Sequence, residues 1–326
     1  MLKNHKKLFA IQIFILLFGF GELYSQYSQP IMPAFIKKNK DTIKKQMFDF
    51  RINTDISTAS MRYDKNGNSI LTDTVIYIDT NEKTFYYPYT TDFAQQKYNF
   101  IVGYLGVRNL YCYVNFPLIH SSVSERFKLD STLTVRTQRN KGTKFYFEGS
   151  QIDAGYTFDF DFLNITVLGS VFFPFYKYSS TVDTTDDYFD NKNIQLGRVF
   201  ETSTGTKFDF NFENSRLQLG GIYNQRSEDF SDRLMFNLLF GLSSVENTEL
   251  FANLKYVRSI SDFKEKYQID FWRQALWENY FDMNLGFTIF FTDEFYANLG
   301  YVIRLWGENT LSQKTVNINL GYVFRK

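Results

Sequence analysis

Few residues in this sequence could carry catalytic chemistry. The 326 residues include two histidines, His5 and His120, and one cysteine, Cys112. Ser121 and Ser122 follow His120 directly, but neighbouring residues on a strand point to opposite faces, so a Ser–His pair would have to form between separate strands. We therefore expect that the protein is not an enzyme. A hydrolase embedded in a barrel ranks third among the candidate functions.

Metal-binding and cofactor-binding patterns are equally weak. The segment DTTDDYFDNKN contains aspartates that could bind calcium, although solvated loops are often this acidic: Asp183, Asp186, Asp187 and Asp190. The segment YDKNGN at 63–68 resembles the start of a calcium-binding loop, but Gly67 comes too early in it and Val75 stands where such a loop needs glutamate. A turn with Gly67 in the left-handed conformation explains this segment better. We expect no metal and no cofactor.

The dominant feature of the sequence is alternation of apolar and polar side chains, the pattern of strands with two different faces. In the last eleven residues, VNINLGYVFRK, Val316, Ile318, Leu320, Tyr322 and Phe324 share one face. Similar segments recur along the chain, and we count about twelve strands. They lie near residues 47–62, 96–105, 109–120, 148–160, 164–178, 206–214, 215–226, 233–243, 248–259, 281–291 and 294–306, and in the C-terminal run.

The connections between these segments alternate in length. Short turns occupy every second connection, near residues 107–109, 161–163, 213–215, 244–247 and 292–294. The intervening connections are longer, especially 63–95, 121–147, 179–203 and 260–276. Outer-membrane barrels have short periplasmic turns and longer extracellular loops. Nothing in a soluble barrel requires that all the connections at one end be short.

These patterns predict an all-β fold, a transmembrane antiparallel up-and-down β-barrel of about twelve strands over residues 46–326. Aromatic residues make up 19 % of the chain, and no apolar run after the N-terminus is long enough for a membrane helix. The last strand can end the chain because the first, near MFDFRINTDI, closes the barrel against it. Its apolar face would contact outer-membrane lipid.

The N-terminus predicts export. Lys3, Lys6 and Lys7 precede the apolar run LFAIQIFILLFGF, so residues 1–25 match a cleavable signal peptide. Residues 26–45 would then form a short segment that stays in the periplasm or enters the lumen. We expect the outer membrane of a Gram-negative bacterium, with both termini periplasmic. Net charge is close to zero, which gives no basic excess for nucleic acid.

The same alternation predicts which polar side chains point into the barrel. The candidates for lining a pore are Asp49, Arg51, Asn53, Asp153, Asp209, Arg226, Asn237, Lys255, Asn284, Asn298 and Arg304. Two interpretations stay open, because twelve strands fall between barrels filled by side chains and barrels with an aqueous channel. Either these residues line a water-filled path, or they form a network that braces a closed lumen.

Three segments also carry a family resemblance: MRYDKNGN at 61–68, EGSQIDAGYTF at 148–158, and LGGIYNQRSEDFSDRLMFNLLFGLS at 219–243. They resemble the outer-membrane channel family associated with the phenol-degradation meta pathway, a relative of the long-chain fatty acid transporters. Arg226, Ser231 and Asp232 match its pattern. The resemblance implies a barrel that passes hydrophobic or aromatic small molecules. Fatty acid transporters also carry an N-terminal plug, and it is open whether residues 31–35 enter the lumen here.

The leading hypothesis is therefore a passive or gated outer-membrane channel for small, hydrophobic or aromatic solutes. The alternative is a closed scaffold barrel that serves as the membrane subunit of a larger complex, with the aromatic segment NEKTFYYPYTTDF at 81–93 as a docking site. The C-terminal strand, with Phe324 near its end, resembles the signal that the outer-membrane assembly machinery binds.

Overall fold

The structure, a computed structural model, describes residues 47–63, 66–70, 73–78, 84–105, 109–131, 134–160, 162–175, 199–227, 231–245, 247–260, 278–292, 294–308 and 310–325. The predicted signal peptide, the segment 26–45 and the acidic loop at 183–190 lie outside these residues. Within the described ranges no helix is long and apolar enough to cross a membrane.

The described chain consists almost entirely of β-strands. In chain order they are β1 (Met47–Ala59), β2 (Arg62–Tyr63), β3 (Ser69–Ile70), β4 (Asp73–Ile78), β5 (Thr84–Leu105), β6 (Leu110–Ser131), β7 (Thr134–Phe147), β8 (Gly149–Asp159), β9 (Leu163–Pro174), β10 (Glu201–Asn211), β11 (Ser215–Arg226), β12 (Arg233–Val245), β13 (Thr248–Ser259), β14 (Asn279–Phe290), β15 (Phe295–Glu308), β16 (Thr310–Leu311) and β17 (Lys314–Arg325).

Twelve of these strands form a closed antiparallel barrel, in the order β1, β5, β6, β8 to β15 and β17. The first and last strands close it, with pairs running from Met47 opposite Arg325 to Thr58 opposite Lys314. Closure gives every strand a hydrogen-bonded neighbour on both sides, which is the condition for strands in hydrocarbon. The predicted fold class and closure are confirmed.

The two ends of the barrel differ as the sequence predicted. Short turns join β5 to β6, β8 to β9, β10 to β11, β12 to β13 and β14 to β15, and we call this the short-turn end. The opposite end, which we call the long-connection end, differs from the prediction. β5 and β6 each run for 22 residues and pair with β4 and β7, so much of the connections 63–95 and 121–147 is strand. At about 3.4 Å per residue these strands are far longer than the ~30 Å apolar core of a bilayer, so they project beyond it.

Alternation separates an apolar outer face from a polar inner face. Phe50, Ile52 and Phe100 are 47 %, 51 % and 42 % exposed on the outside, where lipid would contact them. Arg51, which lies between Phe50 and Ile52 in the sequence, is 4 % exposed on the inner face. A small sheet of β16, β2 and β3 lies at the long-connection end. Gly67 beside it has a φ of 82°, which confirms the predicted left-handed turn.

Candidate functional site: the barrel interior

All the predicted pore-lining positions lie on the inner face, and their role in lining a pore stays a prediction. Eight are buried, namely Asp49, Arg51, Asn53, Asp209, Arg226, Lys255, Asn298 and Arg304. Three are half-buried, namely Asp153, Asn237 and Asn284. The strands that carry them follow the period of two, so the placement results directly from the sequence pattern.

Four asparagines form a row across neighbouring strands. Asn298 of β15 lies opposite Asn319 of β17, which lies opposite Asn53 of β1, which lies opposite Asn99 of β5. Asp55 lies in the next inward position of β1. The sequence prediction left Asp55 out, although its spacing from Asn53 places it on the same face.

Amide donors surround the Asp55 carboxylate. Asn53 donates to it at 3.4 Å and Asn99 at 3.2 Å, and Asn317 also donates to it. Three amide donors satisfy much of the hydrogen-bonding capacity of a carboxylate that is 1 % exposed. This part of the interior is therefore held together by hydrogen bonds between side chains of three neighbouring strands, β1, β5 and β17.

Ion pairs brace the inner wall at several heights. Four of them join two strands or a strand and a flanking residue, and the fifth lies within β1. The charges are almost fully shielded from solvent, so each needs its partner. The pairs are Lys97 with Glu148 (2.6 Å), Arg216 with Glu249 (2.6 Å), Arg233 with Glu278 (2.8 Å), Arg304 with Asp282 (2.8 Å), and Arg51 with Asp49. Of these ten residues, the sequence prediction selected Asp49, Arg51 and Arg304.

Aromatic rings fill one side of the interior near the short-turn end. The Tyr113 ring covers Gly103, and the Tyr296 ring covers Gly321. A side chain at either glycine would collide with the ring, because an ideal Cβ would lie 2.2 Å or less from its nearest carbon. The Arg51 guanidinium lies 4.8 Å from the Tyr113 ring centroid, within cation–π range.

A different set of contacts braces the wall near the long-connection end. The Arg304 guanidinium bonds Asp282 through two nitrogens, at 2.8 and 3.1 Å, and lies 3.8 Å from the centroid of the Tyr280 ring. It also donates to the backbone oxygen of Leu311 at 3.2 Å, so it connects the barrel wall to β16. A cavity of about 30 Å³ lies beside Arg304, with room for about two water molecules.

The residues of the family pattern come together at the turn between β11 and β12. Arg226 donates from Nε to the Ser231 backbone oxygen at 2.6 Å and from its backbone N–H to Asp232 at 3.0 Å. Tyr223 donates its hydroxyl to Asp232 at 2.6 Å. The motif thus links the residues on the two sides of the connection from β11 to β12, a role that its spacing in the sequence did not reveal.

The geometry at His120 gives the hydrolase alternative no support. Its ring lies on the outer face beside Phe145, at a centroid distance of 6.3 Å. Ser121 is completely buried on the inner face. Within this segment the two side chains lie on opposite sides of the wall, as the strand period predicted.

No protein-family description matches the sequence, and no curated protein matches it. Among solved structures, the chain is similar to an outer membrane channel from Pseudomonas putida F1, with 14 % identity over 86 % of this chain and 96 % of that one, at a TM-score of 0.52. Weaker similarity extends to a deletion mutant of the monoaromatic hydrocarbon channel TodX (8 % identity, 94 % and 97 % coverage, TM-score 0.43) and to the Pseudomonas putida toluene transporter TodX (9 %, 94 % and 96 %, 0.39). The chain therefore has the fold of a closed, antiparallel transmembrane β-barrel such as that of the Pseudomonas putida F1 channel.

Proposed function

We propose that the protein is a gated outer-membrane channel for small hydrophobic or aromatic solutes. The observation that carries the proposal is the shared fold, since the chain aligns over 86 % of its length with an outer membrane channel. The transport hypothesis needs no covalent chemistry from the interior. The aromatic side of the inner wall, with Tyr111, Tyr113 and Tyr296, offers ring faces on which an aromatic solute could pack.

The proposal includes gating because the inner side chains are packed. Arg51, Asn53 and Asn99 are at most 4 % exposed, whereas residues that line a wide water-filled pore would be accessible to water. Ion pairs such as Arg304 with Asp282 would have to separate or shift for a solute to pass. We expect solute binding to supply the free energy for that rearrangement.

A second candidate function is the closed scaffold barrel. The ion pairs between strands and the amide hydrogen bonds to Asp55 favour it, because they would brace a lumen that never opens. In this alternative the projecting strands β4 to β7 would serve as the docking site for partner proteins.

Single-channel recording separates the two candidates. The signal-free protein is reconstituted in a planar bilayer in potassium chloride, and current is recorded before and after phenol is added as an aromatic probe. The channel proposal expects discrete openings that increase with phenol concentration. A folded protein that stays silent at every phenol concentration would contradict it and favour the scaffold.

The proposed location follows from the same reasoning. Residues 1–25 would direct export, the short-turn end would face the periplasm, and the C-terminal strand would engage the assembly machinery. Proteolysis of intact cells tests the orientation. Cleavage is expected in the long connections and not in the short turns.

A further inference from the structure

Two rows of inward residues form a continuous polar strip across the barrel. We call the row nearer the short-turn end the lower row. In it, Asp209 of β10 begins a series of directly opposed residues that ends at Thr315 of β17. Asp209 lies near the short-turn end of its strand and Thr315 near the long-connection end. The row crosses the membrane because barrel strands are tilted, so a series of opposed residues climbs around the wall.

The upper row runs alongside and contains most of the charges. It passes from Lys207 through Gly220, Asn237, Lys255 and Asp282 to Arg304. Leu239 interrupts the lower row at β12 and Val302 interrupts it at β15, but the upper row maintains polarity on those strands with Asn237 and Arg304. We call the polar members of both rows the polar strip: Lys207, Asp209, Gln218, Asn237, Asn253, Lys255, Asp282, Asn284, Arg304 and Thr315.

Several amide oxygens of the strip need a hydrogen-bond donor. The side-chain oxygens of Asn237, Asn253 and Asn284 are buried and have no hydrogen-bond partner among the described residues. Buried acceptors are almost always satisfied, by protein or by ordered water. The cavity of about 30 Å³ lies between Asn253, Asn284 and Thr315, so water has room beside two of these three oxygens.

Charges fixed along the strip oppose the passage of ions. Lys207 and Asp209 lie near its lower end, and Lys255, Asp282 and Arg304 lie near its upper end. An ion of either sign would meet a fixed charge of its own sign and would lose its hydration shell in a narrow space. Water meets neither barrier, because it exchanges one hydrogen bond for another along the row of amides.

We propose that the polar strip conducts water across the barrel in the closed conformation, while ions are excluded. The strip differs in position from the aromatic side of the interior, and water permeation does not require the opening that a larger solute would need. The proposal therefore stands independently of the solute channel.

Stopped-flow light scattering tests the proposal. Liposomes containing the signal-free protein are mixed with a hyperosmotic solution, and their shrinkage is compared with that of protein-free liposomes. The protein is expected to accelerate shrinkage, and the double variant Asn253→Leu with Asn284→Leu is expected to lose about half or more of that increase, because it removes two acceptors and fills the cavity. Potassium leak from the same liposomes is expected to stay at the protein-free level.

The matched control is Asn115→Leu with Asn319→Leu. Both asparagines are buried inner residues whose side-chain oxygens also have no partner among the described residues, but neither belongs to the polar strip. This variant is expected to retain the wild-type rate. Heat-dependent gel migration confirms that each variant is folded, and Asn237→Leu replaces the double variant if that one does not fold. Equal losses in the strip and control variants, a folded wild type that does not accelerate shrinkage, or a potassium leak that parallels the water flux would overturn the proposal.

Discussion

The ion pair of Arg216 with Glu249 allows a quantitative test of how the interior is held together. Arg216 of β11 reaches across β12 to Glu249 of β13, with hydrogen bonds of 2.6 and 3.1 Å to the same carboxylate oxygen. It passes over Gly241, where an ideal Cβ would lie only 3.0 Å from Arg216 and Glu249 atoms. The two side chains are 6 % and 5 % exposed, so water has little access to either partner.

Glu249→Gln removes the negative charge and leaves the Arg216 guanidinium buried beside a neutral amide. Breaking a buried pair by removing one partner costs about 3–5 kcal/mol, and the glutamine oxygen still accepts a hydrogen bond, so we expect a loss of about 3 kcal/mol in the free energy of unfolding. The double variant Arg216→Met with Glu249→Leu leaves no unpaired charge and should lose less than the single variant.

Urea-induced unfolding in phospholipid vesicles, followed by tryptophan fluorescence, measures both variants. The single variants Arg216→Met and Glu249→Leu complete the double-mutant cycle. A loss below about 1 kcal/mol for Glu249→Gln would mean that the pair is hydrated in the membrane and contributes as little as a surface pair. A double variant as unstable as Glu249→Gln would mean that shape, and not charge, dominates at this position. Either result would refute the reasoning.

Three further predictions use the same protein. Gly321→Ala should lower the free energy of unfolding by about 1–3 kcal/mol in the urea experiment, because the new methyl group collides with the Tyr296 ring; unchanged stability would show that the ring moves freely. Tyr223→Phe should cost about 1–2 kcal/mol in the same experiment through loss of the 2.6 Å hydrogen bond to Asp232, and no loss would mean that this turn contributes nothing to the barrel. If phenol opens the channel, Arg226→Ala should raise its cation selectivity. The measurement is the shift of the reversal potential in a potassium chloride gradient, and an unshifted potential would place Arg226 away from the open path.

The barrel was predictable because lipid and interior impose opposite demands on successive residues. Phe50, Arg51 and Ile52 illustrate this: a membrane strand must expose apolar side chains outward and cannot leave a charge there. The projecting parts of β5 and β6 were not predictable in this way, since beyond the bilayer neither face has to be apolar. SSVSERFKLDS, at the end of β6, therefore shows no lipid-facing pattern although it forms strand.

The candidate site was predictable only in part, for a related reason. Period-two alternation assigns Asn53, Asn298 and Asn319 to the inner face, but the register between strands decides that they lie side by side. The partnership of Arg216 with Glu249 likewise depends on two turns and on the small size of Gly241. Such contacts require the closed barrel, and no local pattern encodes them.

The nature of the interior contributes to the choice between channel and scaffold. A barrel that only had to stay closed could fill its lumen with apolar side chains, because replacing a buried ion pair by well-packed apolar residues is often neutral or stabilising. Here the buried side-chain oxygens of Asn237, Asn253 and Asn284 have no partner among the described residues. Polar groups without a full set of hydrogen bonds destabilise a closed scaffold. A permeation path needs such groups, because they bind the molecules that pass through it. The inner wall therefore favours permeation, and the water-flux experiment measures it directly.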